Sequence, residues 1–98
     1  MIVADISIIP IGNEKTDLGK YIKEAVKVIE KSGLKYVVTS MGTQIEANNL
    51  NELYSTIQEA QEAIFKCNIK RVYTTRKIDD RRDKNNRGME DKIKSVLE

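Results

Sequence analysis

Apolar and polar residues alternate from the start of the chain. Over residues 2–9, Ile2, Ala4, Ile6 and Ile8 share one face, while Val3, Asp5, Ser7 and Ile9 share the other. A period of two marks a β-strand with one apolar and one mixed face. Pro10 and Gly12 predict its end, because proline offers no N–H to a ladder and glycine relaxes the backbone. Over residues 17–32 the period lengthens. Leu18, Tyr21, Ile22, Ala25, Val26 and Ile29 form a helical stripe, with Thr16 or Asp17 placed to cap it and Gly33 just past its end.

Residues 36–40 are short and β-branched, and residues 43–47 follow across Met41-Gly42, which predicts an antiparallel hairpin turning at the glycine. Asn49, with Glu52 three residues on, makes a capping-box-like start for a second helix. Its stripe is Leu50, Leu53, Tyr54, Ile57, Ala60, Ile64 and Cys67. Cys67 reads as a small apolar residue ending that stripe rather than as a reactive thiol. Residues 69–78 alternate again, with Val72, Thr74 and Ile78 on one face, and predict a fourth strand. Residues 79–87 read as a charged loop, and Met89, Ile93, Val96 and Leu97 give a short amphipathic C-terminal helix that needs a surface to dock on.

The order β-α-β-β-α-β plus a terminal helix predicts an α+β, ferredoxin-like βαββαβ domain spanning residues 1–98. Right-handed crossovers put the antiparallel sheet in the order 4-1-3-2, with both main helices on one face. The other face, carrying Val3, Asp5, Ser7 and Ile9, is then uncovered. A core from 98 residues stabilises little alone. A second subunit is therefore expected to cover that face, as a homodimer or homotetramer.

Composition narrows the chemistry. There is no histidine, which excludes a histidine-based triad and imidazole metal ligands, and one cysteine builds neither a disulfide within the chain nor a thiolate metal cluster. A reducing, cytoplasmic setting fits, and no apolar run approaches the roughly 20 residues of a membrane helix. Neither a metal nor a cofactor is expected. The five glycines form no phosphate cradle. The net charge is only +2, yet residues 1–65 hold six basic and nine acidic side chains while residues 66–98 hold eleven and six. Such a basic third suits an anionic ligand or nucleic acid, or simply forms ion pairs in solvent. RNA recognition on this fold stacks bases on aromatics of the central strands, and strands one and three carry none, so no nucleic-acid partner is expected. Nor is an enzyme: Asp5 and Glu46 offer an acid–base pair with neither a nucleophile nor an electrophile stabiliser.

Three segments together carry a family likeness: Ile8-Ile9-Pro10-Ile11-Gly12, the hairpin Thr39-Ser40-Met41-Gly42-Thr43-Gln44-Ile45-Glu46, and Arg71-Val72-Tyr73-Thr74-Thr75 running on to Ile78-Asp79-Asp80-Arg81-Arg82. Spaced by two helices, they resemble the small thiamine-binding protein family, formerly of unknown function. The resemblance implies a non-enzymatic protein that dimerises through its sheets, forms tetramers and binds thiamine or similar pyrimidines. The chain departs from the family pattern at Ala47-Asn48, where the family usually has a glycine and another acid.

Thiamine needs an acceptor for its exocyclic amine, an anion or π-face for its thiazolium, and a dry wall. Glu46 is the first candidate for the amine. Asp5 and Ser7, on the strand between strands three and four, are positioned to converge with it and with Tyr73 or Thr75. Ser40 and Thr43 flank Met41-Gly42, where a glycine lets a ligand approach the backbone. Each has a plainer explanation. Glu46 can pair with a lysine across the sheet, Ser7 and Thr43 can be solvent-side strand residues, and Tyr73 can pack on a partner subunit. Asp79, Asp80, Arg81 and Arg82 read as loop-fixing or intersubunit ion pairs. A metabolite-sensing or structural homo-oligomer without thiamine affinity is the alternative function.

Overall fold

A computed structural model describes residues 1–12, 18–84 and 87–98. The elements run β1 (Ile2–Ile11), α1 (Gly19–Lys31), β2 (Lys35–Val38), β3 (Thr43–Ala47), α2 (Leu50–Phe65), β4 (Arg71–Asp80) and α3 (Met89–Leu97). The strands form one antiparallel sheet in the order β2-β3-β1-β4, as the crossover argument requires. Ile2, Ala4, Ile6 and Ile8 of β1, with Ile45 and Ala47 of β3, are buried against Ala25 and Ile29 of α1 and Leu53, Ile57, Ala60 and Ile64 of α2. This is a ferredoxin-like fold with an added C-terminal helix.

Local signals account for most element ends. Gly33 has φ +79°, the left-handed conformation that a residue without a Cβ takes at little cost after a helix. The Asn49 side chain accepts the Glu52 N–H at 2.9 Å and starts α2. The residues proposed to cap α1, Thr16 and Asp17, lie outside the described residues. Cys67 is half-buried, its Sγ 3.5 Å from the Ala63 carbonyl oxygen.

Several boundaries depart from the pattern-based expectation. β1 continues through Pro10, which stands opposite Val72, and stops only at Ile11. β3 reaches no further along β1 than Ile6, so β1 from Ser7 onward has a strand on one side only. A proline is tolerated on such an edge. Thr39 and Ser40 belong to the turn, where the Thr39 N–H and hydroxyl both donate to the Gly42 carbonyl at 2.8 Å. β4 starts at Arg71 and runs on through Asp79 and Asp80, which face Val3 and Ile2. Thr43 is buried on the helix side of the sheet beside Ile6, not on the solvent side.

α3 lies across part of the sheet face that α1 and α2 leave open, and Met89 anchors it as a buried residue. Polar contacts fix its start. The Glu46 carboxylate accepts the Met89 N–H at 2.6 Å, the Gly88 N–H donates to Asp91 at 2.9 Å, and Lys35 pairs with Glu90 at 2.8 Å. Lys92 also pairs with Asp79. A carboxylate at a helix N-terminus answers both an orphan donor and the helix dipole.

Candidate functional site

Cross-strand register assigns the residues to faces. Val3, Asp5, Ser7 and Ile9 of β1 stand opposite Asp79, Lys77, Thr75 and Tyr73 of β4, and Val3 and Asp5 stand opposite Glu46 and Gln44 of β3. Asp5, Ser7, Glu46 and Tyr73 therefore share the face away from α1 and α2, although they do not meet at one point. Glu46 sits at the level of Val3 and Tyr73 at the level of Ile9, a separation of about 20 Å at roughly 3.3 Å per strand residue. Glu46 is committed to the start of α3. Tyr73 is exposed at the far end of the face, beside Ile9.

Ser7, Ser40 and Thr43 border one cavity, Thr43 from the helix side of the sheet and Ser7 from the opposite face at the open edge of β1. It measures about 300 Å³ and is enclosed by the edge of β1, the hairpin turn and one flank of α1. Its walls are mainly apolar, with Ile8, Ile9, Ile22, Val26, Val38 and Met41 among them, while the Thr39 hydroxyl at its rim is held by the Gly42 carbonyl. That volume is at the lower end of small-molecule sites, and a few hydroxyls on an apolar wall are their usual chemistry. The cavity exists because β3 gives way to the turn. An ideal Cβ on Gly42 would lie 2.6 Å from the Ile6 carbonyl oxygen and 3.2 Å from the Asp5 carboxylate, so only a bare α-carbon fits against β1 there. Asp5 thus brings a negative charge against a cavity-lining residue. Among the described residues the ion pairs leave Asp5 out, joining Lys27 to Glu24, Lys35 to Glu90, Arg81 to Asp83, Arg82 to Asp80 and Lys92 to Asp79.

A wider groove of about 580 Å³ runs between the sheet and α3, lined by Val3, Asp5, Gln44, Lys77, Asp79 and the α3 residues Ile93, Val96 and Leu97. It is the weaker small-molecule site despite its size. No side-chain hydroxyl lines it, and one wall is the exposed C-terminal end of α3, with Val96 81% and Leu97 79% accessible, much as Met41 at 87% stands exposed at the rim of the smaller cavity. Such an apolar, one-sided groove has the character of a contact surface.

The charged segment after β4 is held by local pairs. Arg82 bonds Asp80 at 2.8 Å and Arg81 bonds Asp83 at 2.9 Å, and each arginine holds its carboxylate below the usual range chiefly through that hydrogen bond. Among the described residues no three histidine, cysteine or acidic groups gather as a metal site, and no helix is long and apolar enough to cross a membrane.

Sequence patterning missed two features. Neither the cap that Glu46 supplies to α3 nor the burial of Thr43 has a local signature, since the partner of the first is 43 residues away and the second depends on hairpin register.

Residues 4–97 match the model of the family described as thiamine-binding protein. Among curated relatives, a UPF0045 protein of Methanothermobacter thermautotrophicus is 44% identical over 98 residues, covering 100% of this chain and 98% of the relative. The UPF0045 protein YqgV of Bacillus subtilis is 41% identical over 100 residues, covering 98% and 94%. Among solved structures, the hypothetical protein MJ1052 of Methanocaldococcus jannaschii superposes with a TM-score of 0.87 at 36% identity, covering 98% of this chain and 95% of its own. A Thermotoga maritima protein, TM0486, assigned provisionally to thiamine biosynthesis or salvage, gives 0.81 at 22% identity with 97% of each chain covered, a likeness of fold.

Proposed function

We propose, because the chain belongs to the thiamine-binding protein family, that it is a non-enzymatic binding protein for thiamine or a related pyrimidine, with its site in the cavity between β1, the hairpin turn and α1. The observation that supports this reading is that Ser7, Ser40 and Thr43 all border one largely apolar cavity at the open edge of β1. The pyrimidine enters against the β1 edge, where apolar walls exclude water and the hydroxyls fix its orientation. Asp5, beyond Gly42, supplies the negative charge that a thiazolium requires. Glu46, busy at α3, supports the fold and does not touch the ligand. Tyr73 closes the site only through a partner subunit.

The protein acts as a homodimer or homotetramer through its open sheet face. Supporting this are the exposed apolar residues there, Ile9, Val37 and Tyr73, continued by Ile93, Val96 and Leu97 of α3. The setting is the cytoplasm, where a free, half-buried Cys67 stays reduced.

Calorimetric titration with thiamine tests the reading. Saturable binding with Kd of about micromolar order, weakened about tenfold in Ser7→Ala while the oligomer persists, is the expected result. Neither heat nor thermal shift at millimolar thiamine overturns it, and a metabolite-sensing or structural oligomer then becomes the better account.

A further inference from the structure

We infer that the main-chain N–H and C=O of Ile8 form the recognition edge for the ligand, selecting a heteroaromatic ring in which a ring-nitrogen acceptor adjoins an exocyclic amino donor. This rests on the binding role proposed for the same cavity and names the atoms that read the ligand.

Two independent observations fix the direction of these groups. Along a strand, the N–H and C=O of one residue point to the same side, and residues two apart agree. The Ile6 carbonyl oxygen faces Gly42, on the β3 side of β1, because an ideal Cβ on Gly42 would meet that oxygen before the carbonyl carbon. Pro10, at the same parity, has no N–H, and stands in the β4 ladder opposite Val72 without one to give. Ile8 lies between them. Its N–H and C=O therefore point away from β4, toward the side where β3 has already ended at Thr43 opposite Ile6. That side is the cavity, which Ile8 lines. Among the described residues no turn or loop backbone group bonds Ile8.

A donor and an acceptor left without a strand partner are met by water alone until a ligand matches them. An aminopyrimidine matches them with its ring nitrogen accepting from the N–H and its amine donating to the C=O, as an added strand would. A 4-oxo ring presents donor and acceptor in the opposite order. It matches only after turning over, which directs its thiazolium substituent into the wrong part of the cavity.

Amide hydrogen exchange read by NMR tests this on the whole protein. Without ligand, the Ile8 amide exchanges faster than those of Ser7 and Ile9, which donate to β4. Saturation with thiamine, or with its free hydroxymethyl aminopyrimidine, slows Ile8 about tenfold, while oxythiamine binds about tenfold more weakly and leaves Ile8 unprotected. If thiamine binds and shifts cavity resonances while Ile8 exchange is unchanged, this inference fails and the binding role stands. If neither thiamine nor the pyrimidine binds, both fail.

Discussion

Replacing Glu46 by alanine separates its two readings, ligand acceptor and helix cap. The substitution removes the carboxylate that accepts the Met89 N–H at 2.6 Å at the first residue of α3. A hydrogen bond to a charged group contributes about 1.5–3 kcal/mol and a carboxylate at a helix N-terminus about 0.3–1 kcal/mol. Glu46 is half-buried, so a total near the lower end, about 2 kcal/mol, is appropriate. α3 has nine residues, shorter than the roughly 12–15 at which isolated helices become even marginal, so it exists because it docks. The loss therefore falls on docking rather than on the core beneath, and shifts that equilibrium about thirtyfold. Hydrogen exchange of residues 89–97, compared with residues 50–65 of α2, reads it directly. The expected result is α3 exchange faster by about that factor with α2 unchanged, and roughly half the effect in Glu46→Gln, which keeps an acceptor without the charge. Unchanged α3 exchange in Glu46→Ala, or equal loss of protection in α2, would refute the reasoning.

Leu53→Ala, at a fully buried position on α2, costs about 2–5 kcal/mol in denaturant unfolding, and a loss under 1 kcal/mol would mean that the core closes around the gap. Gly42→Ala forces a Cβ to within 2.6 Å of a backbone oxygen that cannot swing away, so it lowers the unfolding midpoint by an amount equivalent to about 1–3 kcal/mol; an unchanged midpoint would show that the turn relaxes freely. The Lys35–Glu90 pair gives docking of α3 a pH dependence. Its hydrogen bond lowers the Glu90 pKa and raises that of Lys35. The Glu90 contribution is present above its unfolded pKa and is lost as pH falls through the folded value, while that of Lys35 is present below its unfolded pKa and is lost as pH rises through the folded value. Both groups are exposed, so the effect is small. In Glu90→Gln the Lys35 titration, followed by NMR, should move down toward the ordinary lysine range, with Glu46 and Asp91 still holding it up in part, and an unaltered titration would remove the pair from the account.

Repeating local signals made the order of elements legible. The period-two run of β1, the stripes of α1 and α2, Gly33 and the Asn49–Glu52 cap are set by neighbours within a few residues, and the structure keeps the elements they predict, although Ile22 and Tyr54 of the stripes are exposed and α2 ends at Phe65, before Cys67. What patterning missed depends on partners far away in the chain. Pro10 reads as a terminator until it is known that β3 stops opposite Ile6, leaving a proline nothing to interrupt. Asp79 and Asp80 read as loop until β1 offers Val3 and Ile2 as ladder partners. Thr43 has the composition of a surface strand residue, and hairpin register alone turns it inward beside Ile6. The amphipathic C-terminal helix was readable as an element, but its seat on the open face rests on Glu46, 43 residues before Met89. Of the candidate site residues, Ser7, Ser40 and Thr43 came together because the turn that separates them in sequence folds back on the β1 edge.

Parallel titration of wild type, Thr43→Val and Glu46→Ala with thiamine, each confirmed to keep the same oligomeric state, tests the cavity as the binding site most directly. Thr43→Val preserves shape and removes one cavity hydroxyl, so affinity should fall about tenfold, whereas Glu46→Ala, acting at the other end of the sheet, should bind as wild type does. Loss of binding in Glu46→Ala with Thr43→Val unaffected would place thiamine on the open face beside α3 and contradict the cavity assignment.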